Sequence, residues 1–132
     1  MYPAEVLEHS KQPRHVGALE DATHQARCTN PLCGDRITVW ARVTDGKLEA
    51  VQFEAKGCAI AKASGSMMTE AATGEAVQEA LQLGEALKQA VGGSEVELGP
   101  LEPLRAVAGF PGRRRCATLP WEALAKALSE GG

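Results

Sequence analysis

Two alternating segments joined by a tight turn constrain the fold of this chain more than any other feature of its sequence. In residues 36–44, apolar side chains alternate with polar or bulky ones, which is typical of a half-buried β-strand. Asp45-Gly46 is a strong signal for a two-residue hairpin turn, and residues 48–55 alternate again. The sequence therefore predicts an antiparallel hairpin whose two ends, near residues 35 and 57, lie close together.

Helical patterns occupy most of the chain outside this hairpin. The spacing of apolar residues and the surrounding stop signals predict helices over 4–11, 59–72 and 118–128, and two short helices within 74–91. Gly84 is the residue near which the two short helices are expected to break. Thr118 is expected to cap the last helix, with Pro120 in its first turn.

Two segments carry little periodicity and are predicted to be mostly loop. They are residues 18–35, in which 23–29 could form a strand, and residues 94–115, in which 101–107 could form a short helix.

Strands that precede helices are typical of an α+β fold. With 132 residues, of which 44% are apolar, the chain can bury one conventional core, so a single domain over 1–132 is expected.

Charge and hydropathy exclude several classes of function. The chain has 14 basic and 17 acidic residues, a formal net charge of −3, which argues against nucleic acid as the main partner. No apolar run approaches the roughly 20 residues of a membrane span. The N-terminus also lacks the basic and apolar regions of a signal peptide. We therefore expect a cytoplasmic protein that binds neither nucleic acid nor membrane.

Four cysteines, at positions 28, 33, 58 and 116, carry the clearest chemistry. Because the cytosol keeps thiols reduced, metal binding or thiol chemistry is favoured over disulfides. Cys33 and Asp35 flank a glycine at one end of the predicted hairpin, and Cys58 follows the other end. Glycine allows the backbone to bend so that both flanking side chains face one ion.

Cys116 is predicted to lie at or just before the start of the last helix, where the N–H groups and the helix dipole stabilise a thiolate. Three thiolates and one carboxylate can form a tetrahedral metal site. Because no C-x-x-C pair is present, burial of the cysteines as small hydrophobic residues stays an alternative. Cys28 and Cys33 match only the first half of a plant-type ferredoxin pattern, so Cys28 is expected to take no part.

Three arginines directly precede Cys116, at positions 113 to 115. Such a run is usually a solvated surface, but a divalent ion bound by three thiolates and a carboxylate keeps negative charge that a guanidinium would offset. Arg113 and Arg115 are therefore candidates for electrostatic support of the site. The three histidines lack metal-binding spacing, so surface or packing roles are expected for them.

Three sequence blocks surround these candidates: Asn30-Pro31-Leu32-Cys33-Gly34-Asp35, the stretch from Gly57 to Thr69, and His9 with Pro13-Arg14-His15-Val16-Gly17. In that order, the blocks resemble the N-P-x-C-G-D signature, the second sequence block and the N-terminal stretch of the U-type iron–sulfur cluster assembly family. The resemblance covers nearly the whole chain. It implies a three-stranded antiparallel sheet packed against several helices. It also implies metal ligands at Cys33, Asp35, Cys58 and Cys116.

Within this family the chain resembles the SufU branch most closely. Many scaffold-type members carry histidine directly before the last cysteine, where this chain has Arg115. The block from Arg113 to Trp121 and the long stretch between Thr73 and Arg113 are similar to SufU. The resemblance implies a zinc ion, or a transient [2Fe-2S] cluster if the protein is a scaffold. It also implies a cysteine desulfurase and apo iron–sulfur proteins as partners, and we expect a monomer or weak oligomer.

Three functions stay open at this point. The first is a scaffold that builds an iron–sulfur cluster and delivers it. The second is a zinc-dependent sulfurtransferase in which Cys33 accepts persulfide sulfur, and the third is a zinc-stabilised adaptor without thiol chemistry. The family resemblance favours the scaffold, whereas Arg115 favours the sulfurtransferase, so the sequence leaves open whether the protein is an enzyme.

Overall fold

The centre of the fold is a three-stranded antiparallel sheet with the strand order β1-β2-β3. The structure is a computed structural model that describes residues 2–31 and 34–130. Its strands are His24–Asn30 (β1), Asp35–Thr44 (β2) and Lys47–Lys56 (β3). The predicted hairpin is confirmed as β2 and β3, with Arg36 opposite Lys56 at its open end. The optional strand over 23–29 is β1, which pairs with β2 so that Asn30 lies opposite Asp35.

Helices cover the sheet on the side of its buried apolar residues. The α-helices of the described residues are Ala4–Lys11 (α1), Ala59–Ala72 (α2), Val77–Val91 (α3) and Arg114–Glu130 (α4). α2 packs against β3, and α4 packs against β1 and β2. The alternating strand residues in this core are Ile37, Val39, Ala41, Val51 and Phe53. This arrangement confirms the predicted α+β fold. Across the described part of the chain, we find no helix with the length and apolar character of a membrane span.

The helices depart from the sequence expectations at Gly84 and at the start of α4. α3 continues through Gly84, so the predicted break is wrong. The missing side chain makes room for Trp121, since a Cβ at position 84 would lie 3.0 Å from Cε3 of the indole. α4 begins at Arg114, so Thr118 is not its cap. Pro120 lies inside the helix, and because proline has no N–H it donates no hydrogen bond to the carbonyl of Cys116.

Residues 94–115 contain more helix than the sequence predicts. A 3-10 helix spans Gly99–Gly109 and another spans Pro111–Arg113. In the first, Leu101, Leu104 and Val107 are fully buried. Their three-residue spacing matches the three residues per turn of a 3-10 helix, so one face of the segment packs into the core.

α2 approaches the sheet closely at Gly65. Phe53 is 1% exposed, and its ring lies so near that a Cβ at position 65 would be 2.5 Å from Cε2 and 2.6 Å from Cδ2. A methyl group does not fit there unless the ring moves. The glycine therefore sets the distance between α2 and β3.

We expect Gly65→Ala to lower the free energy of unfolding by about 1–3 kcal/mol, the usual cost of overpacking a core, despite the higher helix propensity of alanine. Urea denaturation measures this change. In a Phe53→Leu background, which lacks the ring, the same substitution should cost far less. An equal cost in both backgrounds would contradict the packing of Gly65 against Phe53.

Candidate metal centre

Asp35, Cys58 and Cys116 come together at the open end of the hairpin. Asp35 is the first residue of β2, Cys58 directly precedes α2 and Cys116 lies in the first turn of α4. One ligand atom from each residue lies within 4.8 Å of the others. Asp35 and Cys116 are buried, and Cys58 is partly buried. Among the described residues, these three form the group of side chains that could hold a metal ion.

The carboxylate of Asp35 is positioned by the backbone at the start of α2. Its Oδ1 accepts a hydrogen bond from the N–H of Cys58 at 3.0 Å, and the thiol of Cys58 donates to Oδ2 at 3.6 Å. In a tetrahedral zinc site, sulfur and oxygen ligands at their usual bond lengths lie about 3.5 Å apart. The observed spacing of this pair therefore fits one shared metal ion.

Gly57 leaves the space that the carboxylate of Asp35 occupies. Its φ of +135° is strained for residues with a side chain and open to glycine. A Cβ at position 57 would overlap Oδ1 of Asp35 and would lie 2.7 Å from its Cγ. Glycine is therefore required here on both counts, backbone conformation and space.

Both cysteines of the group lie at the N-terminus of a helix. Cys58 is the N-cap residue of α2, and Cys116 lies in the first turn of α4. The position of Cys116 agrees with the expectation that the last helix begins near this residue. Helix N-termini present unpaired N–H groups and the positive end of the dipole. A metal-bound sulfur atom at either position would lie beside these groups.

The polypeptide by itself favours the neutral form of Cys116. Burial is the main factor that raises the pKa of the Cys116 thiol, and hydrogen bonding with Asp35 and Cys58 together with their negative charge raises it further. A divalent cation between these groups supplies the opposite charge and favours the thiolate. Metal binding at this site is therefore coupled to proton release, and metal affinity falls as the pH falls.

The two candidate arginines have different surroundings. Hydrogen bonding to Cys116, with the charges of Cys58 and Cys116, raises the pKa of the Arg113 guanidinium, so Arg113 lies against the site. Arg115 instead pairs with Glu122 at 3.3 Å, further along α4. The structure thus brings Arg113 to the thiols and turns Arg115 away from them. Their roles stay predictions.

Cys33 lies outside the described residues, so its predicted place in the site stays a prediction. It belongs to the four residues that separate β1 from β2, two positions before Asp35. Cys28 lies on β1 opposite Ile37 and packs against the core. It is not part of the group formed by Asp35, Cys58 and Cys116.

Sequence reasoning missed a polar network that ties the N-terminal segment to α2. The hydroxyl of the buried Ser66 lies 2.6 Å from Nδ1 of His9 and accepts the backbone N–H of Arg14 at 2.8 Å. His15 contacts the hydroxyl of Thr69 at 2.9 Å. Burial, followed by the charge of Arg14, lowers the pKa of His9. The signal in the sequence is the Ser-x-x-Thr spacing, which places two hydroxyls on one face of α2.

Comparison with known proteins identifies the family. The family model for the NifU-like N-terminal domain matches residues 1–130. The chain belongs to the NifU-like N-terminal domain family. This membership confirms the family that the three sequence blocks indicate.

Relatives in the NifU-like family carry two kinds of name. The iron–sulfur cluster assembly scaffold protein IscU of Streptococcus pyogenes serotype M1 is 42% identical over 97% of this chain and 82% of its own. The zinc-dependent sulfurtransferase SufU of Bacillus subtilis is 38% identical over 100% of this chain and 93% of its own. The crystal structure of FiSufU from Fervidobacterium islandicum, which is named as an iron–sulfur cluster assembly scaffold protein for the SUF system, superposes with a TM-score of 0.88, at 32% identity over 96% of both chains.

We expect Gly57→Ala to weaken the binding of an added divalent metal ion by about tenfold to a hundredfold, because the added methyl group displaces the carboxylate of Asp35. Competition with a chromophoric chelator measures the affinity. Gly74→Ala is the matched control, since Gly74 also has a positive φ, +89°, but nothing lies within 4 Å of an added Cβ. A comparable loss of affinity in both variants would contradict the proposed position of Asp35 as a ligand.

Proposed function

We propose that this protein is an iron–sulfur cluster assembly scaffold that receives sulfur from a cysteine desulfurase at a site formed by Cys33, Asp35, Cys58 and Cys116. The observation that carries the proposal is the convergence of the last three residues within 4.8 Å at the open end of the hairpin. The relative from Streptococcus pyogenes, which is named an assembly scaffold, aligns with 97% of the chain. The cluster is the cargo of the protein, and apo iron–sulfur proteins are its recipients.

Cys33 is the proposed fourth ligand and the sulfur acceptor. The pairing of Asn30 with Asp35 across β1 and β2 leaves four residues between them, and Cys33 is the third of these. Covalent geometry keeps the Cα atoms of residues two positions apart within about 7 Å, so Cys33 is within reach of Asp35. Its neighbour Gly34, at a φ of +75°, supplies a backbone conformation that other residues rarely adopt.

The ligand types fit a cargo that must be bound and later released. Thiolates are the ligands that iron–sulfur clusters and zinc both favour. The carboxylate of Asp35 is a harder ligand than a thiolate and binds a soft metal centre less tightly. Arg113 lies against Cys116 and offsets the negative charge that the thiolates concentrate there.

Sulfur transfer to Cys33 is a thiol–disulfide type of exchange. The thiolate of Cys33 attacks the outer sulfur of the persulfide on the desulfurase cysteine. A new S–S bond forms on Cys33 while the S–S bond of the donor breaks, and the desulfurase cysteine leaves as a thiolate. The transferred sulfur keeps its oxidation state, so the step requires neither an oxidant nor a reductant.

A zinc-dependent sulfurtransferase is the second candidate function. Arg115, which directly precedes Cys116, pairs with Glu122 and offers no metal-binding nitrogen at the position where many scaffold-type members have histidine. The Bacillus subtilis relative, named a zinc-dependent sulfurtransferase, aligns with the whole chain. A bound zinc ion would keep the ligand cysteines in the thiolate form. Cys33 would then accept sulfur and pass it on without a cluster on the protein.

Anaerobic incubation with a cysteine desulfurase, cysteine, ferrous iron and a thiol reductant separates the two functions. A scaffold is expected to develop the visible absorption of an iron–sulfur cluster and to transfer that cluster to an apo-ferredoxin, which circular dichroism follows. A sulfurtransferase is expected to hold no cluster, while its zinc form raises the turnover of the desulfurase. If neither result is obtained, both functions are wrong.

We expect Cys33→Ala to abolish sulfur acceptance and Cys28→Ala to leave it unchanged. Mass spectrometry after incubation with the desulfurase and cysteine should show ~32 Da added to a peptide that contains Cys33, one sulfur atom on the thiol. Trypsin cleaves after Arg27 and Arg36 and leaves both cysteines in one peptide, so the two variants assign the sulfur. Undiminished labelling of the Cys33→Ala protein would contradict the assignment.

A further inference from the structure

Five basic side chains line two depressions that share Val16 and Ala55: Lys11, Arg27, Arg36, Lys56 and Lys62. We refer to these five residues as the basic face. Among the described residues, Glu54 is the one acidic residue that lines either depression. Because the whole chain has a net charge of −3, this positive charge is a local feature of one surface.

The cations of the basic face are not held in ion pairs by the described part of the chain. Arg36 and Lys56 are exposed and lie directly opposite each other on β2 and β3, and like charges in this position destabilise a sheet. Within residues 2–31 and 34–130, no member of the basic face is in an ion pair. Arg42, further along β2, is by contrast paired with Asp21 and Glu49. An anionic ligand would relieve the repulsion between Arg36 and Lys56.

An apolar contact point lies between these cations. Val16 is 52% exposed and lines both depressions together with Ala55. Pro13 and Phe53 also line the second depression, which has a volume of about 300 Å³. The N–H of Gly17 donates to the carbonyl of Phe53 at 2.9 Å, which holds Val16 against β3. Apolar surface flanked by cations suits an acidic polypeptide that carries an apolar side chain.

A nucleic acid fits this surface less well than a protein. Single-stranded nucleic acids bind by stacking their bases on exposed aromatic rings, and the aromatic residue in the lining, Phe53, is 1% exposed. The overall negative charge of the chain also opposes a long polyanion. A short acidic segment meets only the local positive charge.

We propose that the basic face is the docking surface for an acidic segment of a partner protein, which places one apolar side chain against Val16. Arg36 directly follows Asp35 in the sequence, and Lys56 directly precedes Gly57 and Cys58. A partner that contacts Arg36 and Lys56 therefore touches the chain one residue from Asp35 and two residues from Cys58 along the sequence. The inference that this partner exchanges cargo at the site rests on the proposed function. The inference that an acidic segment binds the basic face does not.

Fluorescence anisotropy with a labelled peptide of aspartates and glutamates around one central leucine tests this surface. We expect the wild-type protein to bind the peptide with an affinity that falls with added salt. Arg36→Glu should weaken binding by about tenfold, and it should not lower the melting temperature, because it places a carboxylate opposite Lys56. Lys88→Glu makes the same change in charge at an exposed residue of α3 and should bind as the wild type does.

Three outcomes would overturn the proposal. The first is that the peptide shows no salt-dependent binding. The second is that Arg36→Glu and Lys88→Glu lose affinity equally. The third is that a single-stranded oligonucleotide of equal charge binds as tightly as the peptide does. Replacing the leucine of the peptide by alanine should weaken binding, and unchanged affinity would contradict the contact with Val16. Cys58→Ser should lose the metal ion and keep peptide binding, so failure of the metal centre and failure of the docking surface are distinguishable.

Discussion

The carboxylate of Asp35 lies in the space that a side chain at position 57 would fill, and the candidate metal centre depends on this close approach. Because residue 57 is glycine, β2 and the start of α2 come close enough for the N–H of Cys58 to donate to Asp35. The register of the hairpin brings these residues to the same end of the sheet. Two candidate ligands, 23 positions apart in the sequence, are thereby fixed by the backbone.

The third described candidate ligand, Cys116, is brought in by the packing of α4 against α2. Ser64, inside α2, donates a hydrogen bond to the carbonyl of Ala117, the residue after Cys116. Gly65 on the same helix allows α2 to lie close to Phe53. The position of α2 relative to both β3 and α4 is therefore set by small residues, and the geometry of the site follows from that of the backbone.

The parts of the fold that follow from local patterns could be predicted from the sequence, and those that depend on distant residues could not. Alternation and the Asp45-Gly46 turn define the hairpin, and the hairpin alone places Asp35 near Cys58. The unbroken α3 was not predictable, because the space at Gly84 is filled by Trp121 from another helix. The start of α4 at Arg114 was not predictable either, because an arginine run has no apolar periodicity and a proline is typical of the first turn of a helix, whereas Pro120 lies inside α4.

The candidate site, like the fold, was predictable where local sequence patterns position its residues. Asp35, Cys58 and Cys116 meet as the hairpin and the last helix indicate, whereas Cys33 stays a prediction because it lies outside the described residues. The contact of Arg113 with Cys116, and the lack of one for Arg115, depends on where α4 begins and on the ion pair with Glu122. No spacing rule in the arginine run distinguishes the two.

X-ray absorption spectroscopy of the purified zinc form tests most directly the central claim that three thiolates and one carboxylate hold the metal ion. Three sulfur ligands at about 2.3 Å and one oxygen ligand at about 2.0 Å are predicted. A shell with two sulfurs would contradict the place of Cys33 in the site. A shell with four sulfurs would contradict the place of Asp35 and would bring in Cys28.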